Sequence, residues 1–105
     1  MKAMSLILVV LFSLFSVAQA TAQDISAGET IYQANCRNCH GPTAKGMASF
    51  PKLTGNSADY IVDLLEKYRA GETVGPNTPL MAPLAKDLSD EDIANLAAYI
   101  TTTFN

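Results

Sequence analysis

The chain is poor in the side chains that build most metal and catalytic sites. Its 105 residues hold two cysteines, Cys36 and Cys39, and one histidine, His40. A structural zinc site needs four donors, usually with a second Cys or His pair, and the chain has no such pair. A Cys36–Cys39 disulfide would close too short a loop to staple a domain, although an oxidising compartment would favour pairing. Basic residues are also scarce, with seven Lys and Arg against ten Asp and Glu. There is no internal repeat, no low-complexity tract after the N-terminus and no segment with the alternation of a strand.

Long apolar runs are absent with one exception. Leu6–Val17 is broken only by Ser13 and Ser16 and follows Lys2. Its 12 residues would make a helix about 18 Å long, short of a hydrocarbon core of about 30 Å. Ala18-Gln19-Ala20 is a small-x-small cleavage signal, and Ala20-Thr21-Ala22 is a second. Residues 1–20 therefore read as a secretory signal peptide cut after residue 20 or 22, in preference to an uncleaved anchor. No Cys lies near the cut, so lipid attachment is not expected. Residues 21–105 form one small domain. Taking Lys2 from the seven basic residues leaves six against ten acidic ones, a net charge of −4. That balance excludes a typical nucleic-acid binder and favours partners with a basic docking patch. A core of this size is marginal alone and needs a staple.

The two thiols and the imidazole stand together as Cys36-Arg37-Asn38-Cys39-His40. This spacing is the attachment motif of c-type haem. The cysteines add to the two porphyrin vinyl groups and the histidine ligates iron from one face. A dithiol oxidoreductase is the rival, but its Cys-x-x-Cys opens a helix after a strand, where the first thiol is acidified. Here the motif falls at the end of a helix with no strand before it.

Three helices are predicted. The first runs from Ser26 to Cys39, opened by a Ser26/Glu29 capping pair, with Gly28, Ile31, Tyr32 and Asn35 on one face. A glycine within a helix costs about 1 kcal/mol, so Gly28 points to close packing against another backbone. The second runs from Ser57 to Ala70, with Ile61, Leu64, Leu65 and Tyr68 as its stripe, an Asp63/Lys67 pair off it and Gly71 as its stop. The third runs from Ser89 to Thr103, with Ser89 and Asp92 as a cap pair and Ile93, Leu96, Ala97 and Ile100 as its stripe, Tyr99 beside it. Residues 41–56 and 72–88, rich in Gly and Pro, read as long loops that a cofactor would order.

Iron held by His40 alone would leave a position open, as in a gas sensor or an oxidising enzyme. A thioether would close it and raise the potential. After the leader only Met47 and Met81 remain. Met81 lies between Pro79 and Pro83, which stiffen its loop. Met47 is seven residues past His40 and would need about 25 Å of fully extended chain to pass the porphyrin edge. Met81 is the better candidate and Met47 the alternative. Lys52 and Lys86 would have to lose a proton first.

Taken together, these residues resemble the small soluble class I cytochromes c of bacteria, including single halves of tandem dihaem forms. The resemblance covers Ile25–Thr103. Gly28 and Tyr32 stand eight and four positions before Cys36, and Leu96 and Tyr99 match the pattern of the terminal helix that this pair packs on. It implies that the carbonyl of Pro51 takes a hydrogen bond from the free nitrogen of His40, that Leu53 lines the haem pocket and that Met81 is the axial methionine. Asp87 departs from the small residue expected before Leu88. The resemblance further implies an all-α class I cytochrome c fold, three main helices and loops wrapped around one covalently bound haem c. The expected protein is a monomeric periplasmic electron carrier, not an enzyme, meeting redox donors and acceptors in transient encounters, with no membrane span after cleavage. The alternatives are a haem-bearing subunit of a respiratory or dehydrogenase complex, and a haem enzyme or sensor with a labile sixth ligand.

Overall fold

The computed structural model describes residues 23–105. The signal peptide expected over residues 1–20 and its cut at 20 or 22 lie outside the described residues. Five helices follow in order: α1 (Ile25–Asn35), α2 (Arg37–His40), α3 (Ala58–Arg69), α4 (Thr78–Ala85) and α5 (Asp90–Phe104). Among the described residues there is no strand, only an isolated bridge between Met47 and Phe50.

The first helix departs from its expected bounds at both ends. Asp24, not Ser26, caps it, its carboxylate accepting from Ala27 N–H at 3.0 Å. The backbone N–H of Asp24 donates in turn to Asn95 Oδ1 of α5 at 2.7 Å. At the other end the helix breaks at Cys36 (φ −114°, ψ −37°) and resumes as α2. Asn35, placed on the inner face by its spacing, is exposed; Gly28 and Tyr32 are buried. Gly28 lies against the α5 backbone, where an added Cβ would stand 2.7 Å from the Asn95 carbonyl carbon and 2.8 Å from Tyr99 Cβ. Only hydrogen fits there. Beside that crossing the rings of Tyr32, Tyr99 and Phe104 pack pairwise with centroids 5.4–5.6 Å apart, an arrangement favoured by their quadrupoles.

The other two expected helices stand within a residue of their reading. Ser57 Oγ accepts from Tyr60 N–H at 3.1 Å to open α3. Its end is a Schellman turn: Gly71 (φ 78°) bonds back to Tyr68 O and Glu72 to Lys67 O. Ser89 and Asp92 exchange side-chain and backbone bonds of 3.0 Å, a full capping box for α5. Ile93, Leu96, Ala97 and Ile100 are buried as a stripe, while Asn95 and Tyr99 are buried toward α1. The Arg69 guanidinium closes the bundle, donating to Leu88 O at 3.1 Å and pairing with Asp90 at 2.7 Å.

The expected loop over residues 72–88 is corrected by α4, which carries Met81. Two prolines conceal it. Pro79 lies in the first turn, where no N–H is required. Pro83 is interior, so its ring withholds the bond that would reach the Pro79 carbonyl, and the helix ends two residues later. The start is fixed by Thr78, whose buried hydroxyl accepts from Val74 and Gly75 N–H at 2.9 Å each and donates to Gly75 O at 2.7 Å. α1 and α3 both pack on α5, and α4 packs on α3. A cavity opens between these layers and the 41–53 segment.

Candidate functional site

Cys36, Cys39 and His40 enter the cavity from the α1–α2 corner, Pro51 and Leu53 from the following segment, and Met81 from α4. Ile61, Leu64 and Leu65 of α3 and Leu96 and Ile100 of α5 complete an apolar lining. The structure thus brings together all six residues singled out in the sequence.

His40 is held tightly. It is 8% exposed, and its Nδ1 lies 2.8 Å from Pro51 O. A carbonyl can only accept, so Nδ1 carries a proton, which in the neutral ring leaves the lone pair on Nε2. The segment that presents the carbonyl is cross-tied to the His40 backbone: Gly46 N–H donates to His40 O and Leu53 N–H to Ala44 O, both at 2.8 Å. Met47 and Phe50 exchange backbone bonds of 3.2 and 2.9 Å across the turn between them. Behind the ring, the Tyr32 hydroxyl donates to Gly41 O at 2.5 Å. Burial pushes that phenol up to about 12, with Cys36 and Tyr99 adding to the effect.

The thiols are unpaired. Burial, with Cys39 beside it, pushes the Cys36 thiol up to about 12. A catalytic dithiol needs the opposite shift, and among the described residues no strand precedes the motif, so this chemistry does not suit a disulfide oxidoreductase. Met81 is half-buried in the cavity wall. Met47 is 45% exposed and is not among the residues facing the cavity; its Cε stands 3.8 Å from where a Cβ on Gly41 would be.

The donor set fits a haem and little else. Among the described residues no group of three or more His, Cys, Asp or Glu could hold a bare ion. Iron inside a macrocycle asks the chain only for axial donors, and a porphyrin asks for apolar walls. One imidazole with a free Nε2, one thioether and two thiols in an apolar cavity meet both demands. Sequence reasoning missed Leu80 and Leu84, four apart on the cavity side of α4, and Tyr60 and Phe50, which also line the cavity. The Leu80/Leu84 spacing was the available signal, masked by the prolines around it.

Fold and donor set define an all-α haem protein of class I. Residues 25–104 match the family described as Cytochrome c, and the chain belongs to that family. It is 42% identical over 89 residues to cytochrome c-554(547) of Halothiobacillus neapolitanus, covering 77% of this chain and 98% of that protein. It is 45% identical over 82 residues to cytochrome c-554(548) of Halomonas halodenitrificans, with the same coverage. Among solved structures, reduced recombinant cytochrome c4 from Pseudomonas stutzeri superposes with a TM-score of 0.64 at 28% identity. That match covers 83% of this chain and 53% of the cytochrome c4 chain, so the fold here corresponds to about half of the larger protein. As a cytochrome c the chain carries covalently attached haem c.

Proposed function

We propose that this cytochrome carries single electrons between redox proteins of the periplasm, with Cys36 and Cys39 binding the haem covalently and His40 and Met81 as its two axial ligands. The observation that carries the reading is the meeting of His40 and Met81, from different helices, in one apolar cavity. The haem supplies the one-electron couple.

His40 offers Nε2 while Pro51 O holds its other nitrogen, which fixes the ring and adds to its basicity. Met81 offers a thioether, a donor that favours the reduced state and raises the potential. With both in place no position is open to a small molecule, so the chain acts as a carrier and not as an enzyme or ligand sensor. Leu53, Ile61, Leu64, Leu65 and Ile100 keep water out and further favour the less charged, reduced centre. Leu80 and Tyr60, 61% and 51% exposed, border the cavity and offer a small apolar contact for a transient partner. Residues 1–20 act as the export signal. Among the described residues no helix is long and apolar enough to cross a membrane. The reading takes the mature protein as a monomer without a membrane span.

The test is ligand exclusion in the purified native protein. The reading expects haem that resists acidic organic extraction, a one-electron redox titration and no binding of carbon monoxide to the reduced form. Rapid, tight carbon monoxide binding without unfolding would replace the carrier with the enzyme or sensor reading.

A further inference from the structure

Gly46 touches both partners of the His40–Pro51 hydrogen bond. Its N–H donates to the His40 carbonyl at 2.8 Å. Its Cα side faces the peptide that bears the acceptor: a Cβ on Gly46 would stand 2.5 Å from Phe50 O and 2.8 Å from both Pro51 C and Lys52 N. These neighbours are backbone atoms, one of them the carbon of the accepting carbonyl itself, so no flexible side chain can move aside. A residue larger than glycine has to displace Pro51 from His40 or pull the His40 backbone with it. The turn between them tolerates little slack, since Met47 and Phe50 are bonded to each other and Leu53 to Ala44.

We propose that Gly46 is a positioning residue that sets the length of the His40 Nδ1–Pro51 O hydrogen bond and thereby the electron donation of His40 to the iron. The inference rests on the reading of His40 as an axial ligand. The bond lends the imidazole partial imidazolate character, which stabilises ferric iron. Lengthening it therefore raises the reduction potential. A weakened neutral hydrogen bond, worth about 1 kcal/mol, sets the scale at about a threefold to fivefold rise in the reduced-to-oxidised ratio at a fixed poise. At 59 mV per tenfold for one electron this is about 30–40 mV.

The internal control is Gly71. Its φ is +78°, against +76° for Gly46, but a Cβ there meets nothing within 4 Å. Alanine at either site bears the same left-handed strain; only Gly46→Ala also presses on Pro51. The experiment compares native, Gly46→Ala and Gly71→Ala holoproteins by redox titration and by NMR of the His40 ring in the ferric state. The expected result is a raised potential and shifted His40 ring resonances in Gly46→Ala, with Gly71→Ala matching the native protein. An unchanged potential in Gly46→Ala, or equal shifts in both variants, would overturn the proposal. If Gly46→Ala does not mature, hydrogen-exchange protection in the native reduced protein decides. His40 Nδ1–H and Gly46 N–H should then show protection factors within about threefold, as parts of one opening unit, and a ring proton protected more than tenfold less than the Gly46 amide would overturn it. Native His40 ring resonances lacking any paramagnetic shift would remove the ligand reading itself, and the proposal with it.

Discussion

The two walls of the cavity are built by different means. On the histidine side the donor is fixed by bonds: Nδ1 to Pro51 O, the His40 backbone to Gly46, and Tyr32 behind it on Gly41. On the methionine side the donor rides on a helix of eight residues with two prolines. That helix is fixed at its start by Thr78 and, more loosely, by Asn77, whose side-chain amide donates to Ser49 O at 3.4 Å, and it packs on α3. One proposed ligand is oriented atom by atom; the other is delivered by an element. The contrast fits the donors, because an imidazole has a second nitrogen by which it can be held and a thioether has none. Loosening the histidine wall should change how the iron is tuned, and loosening the methionine wall should change whether the iron is accessible.

The largest effect is expected from His40→Ala. It removes the donor and leaves the Pro51 carbonyl without its partner, so haem absorbance per protein in exported material should fall more than tenfold. Native yield of attached haem in this variant would show that the histidine wall is dispensable. Next is Met81→Ala, which should keep the haem attached through Cys36 and Cys39 but admit carbon monoxide to the reduced form, read by the shift of its main absorption band. Thr78→Val should be milder. It leaves the Val74 and Gly75 N–H groups without their acceptor, a cost of about 2–3 kcal/mol, seen as a lower denaturant midpoint. Carbon monoxide access should rise there while the His40 ring resonances stay in place.

Tyr32→Phe should act least on the site. Loss of the bond to Gly41 O costs about 1 kcal/mol with the potential almost unchanged. Its signature is in alkali. The folded phenol titrates at about 12 against an ordinary value of 10.0, so its contribution to stability is complete below pH 10 and is lost as pH rises toward 12. Tyr32→Phe should therefore flatten the fall in stability over that interval, and an unchanged profile would show that burial of this hydroxyl carries no such linkage.

The histidine wall was legible in part and the methionine wall less so, for physical reasons. Cys36, Cys39 and His40 are read from spacing alone because covalent attachment demands it. The caps of α3 and α5 are local, Ser57 and Ser89 bonding to amides three residues on, and their stripes follow from period. Asp24 as the cap of α1 was hidden, since its position is settled by Asn95, 71 residues away. α4 was hidden by Pro79 and Pro83, whose usual meaning in a sequence is a loop. Gly46 gave no sign beyond being a glycine in a loop, because its significance is the approach of Phe50, Pro51 and Lys52, which only the folded turn creates.

Clamping of the iron by Met81 opposite His40 is the central claim, and the far-red sulfur-to-iron charge-transfer band of the ferric protein tests it directly. The native protein and Met47→Ala should both show the band, and Met81→Ala should lack it while its haem remains covalently bound. A band that survives in Met81→Ala and vanishes in Met47→Ala would contradict the account.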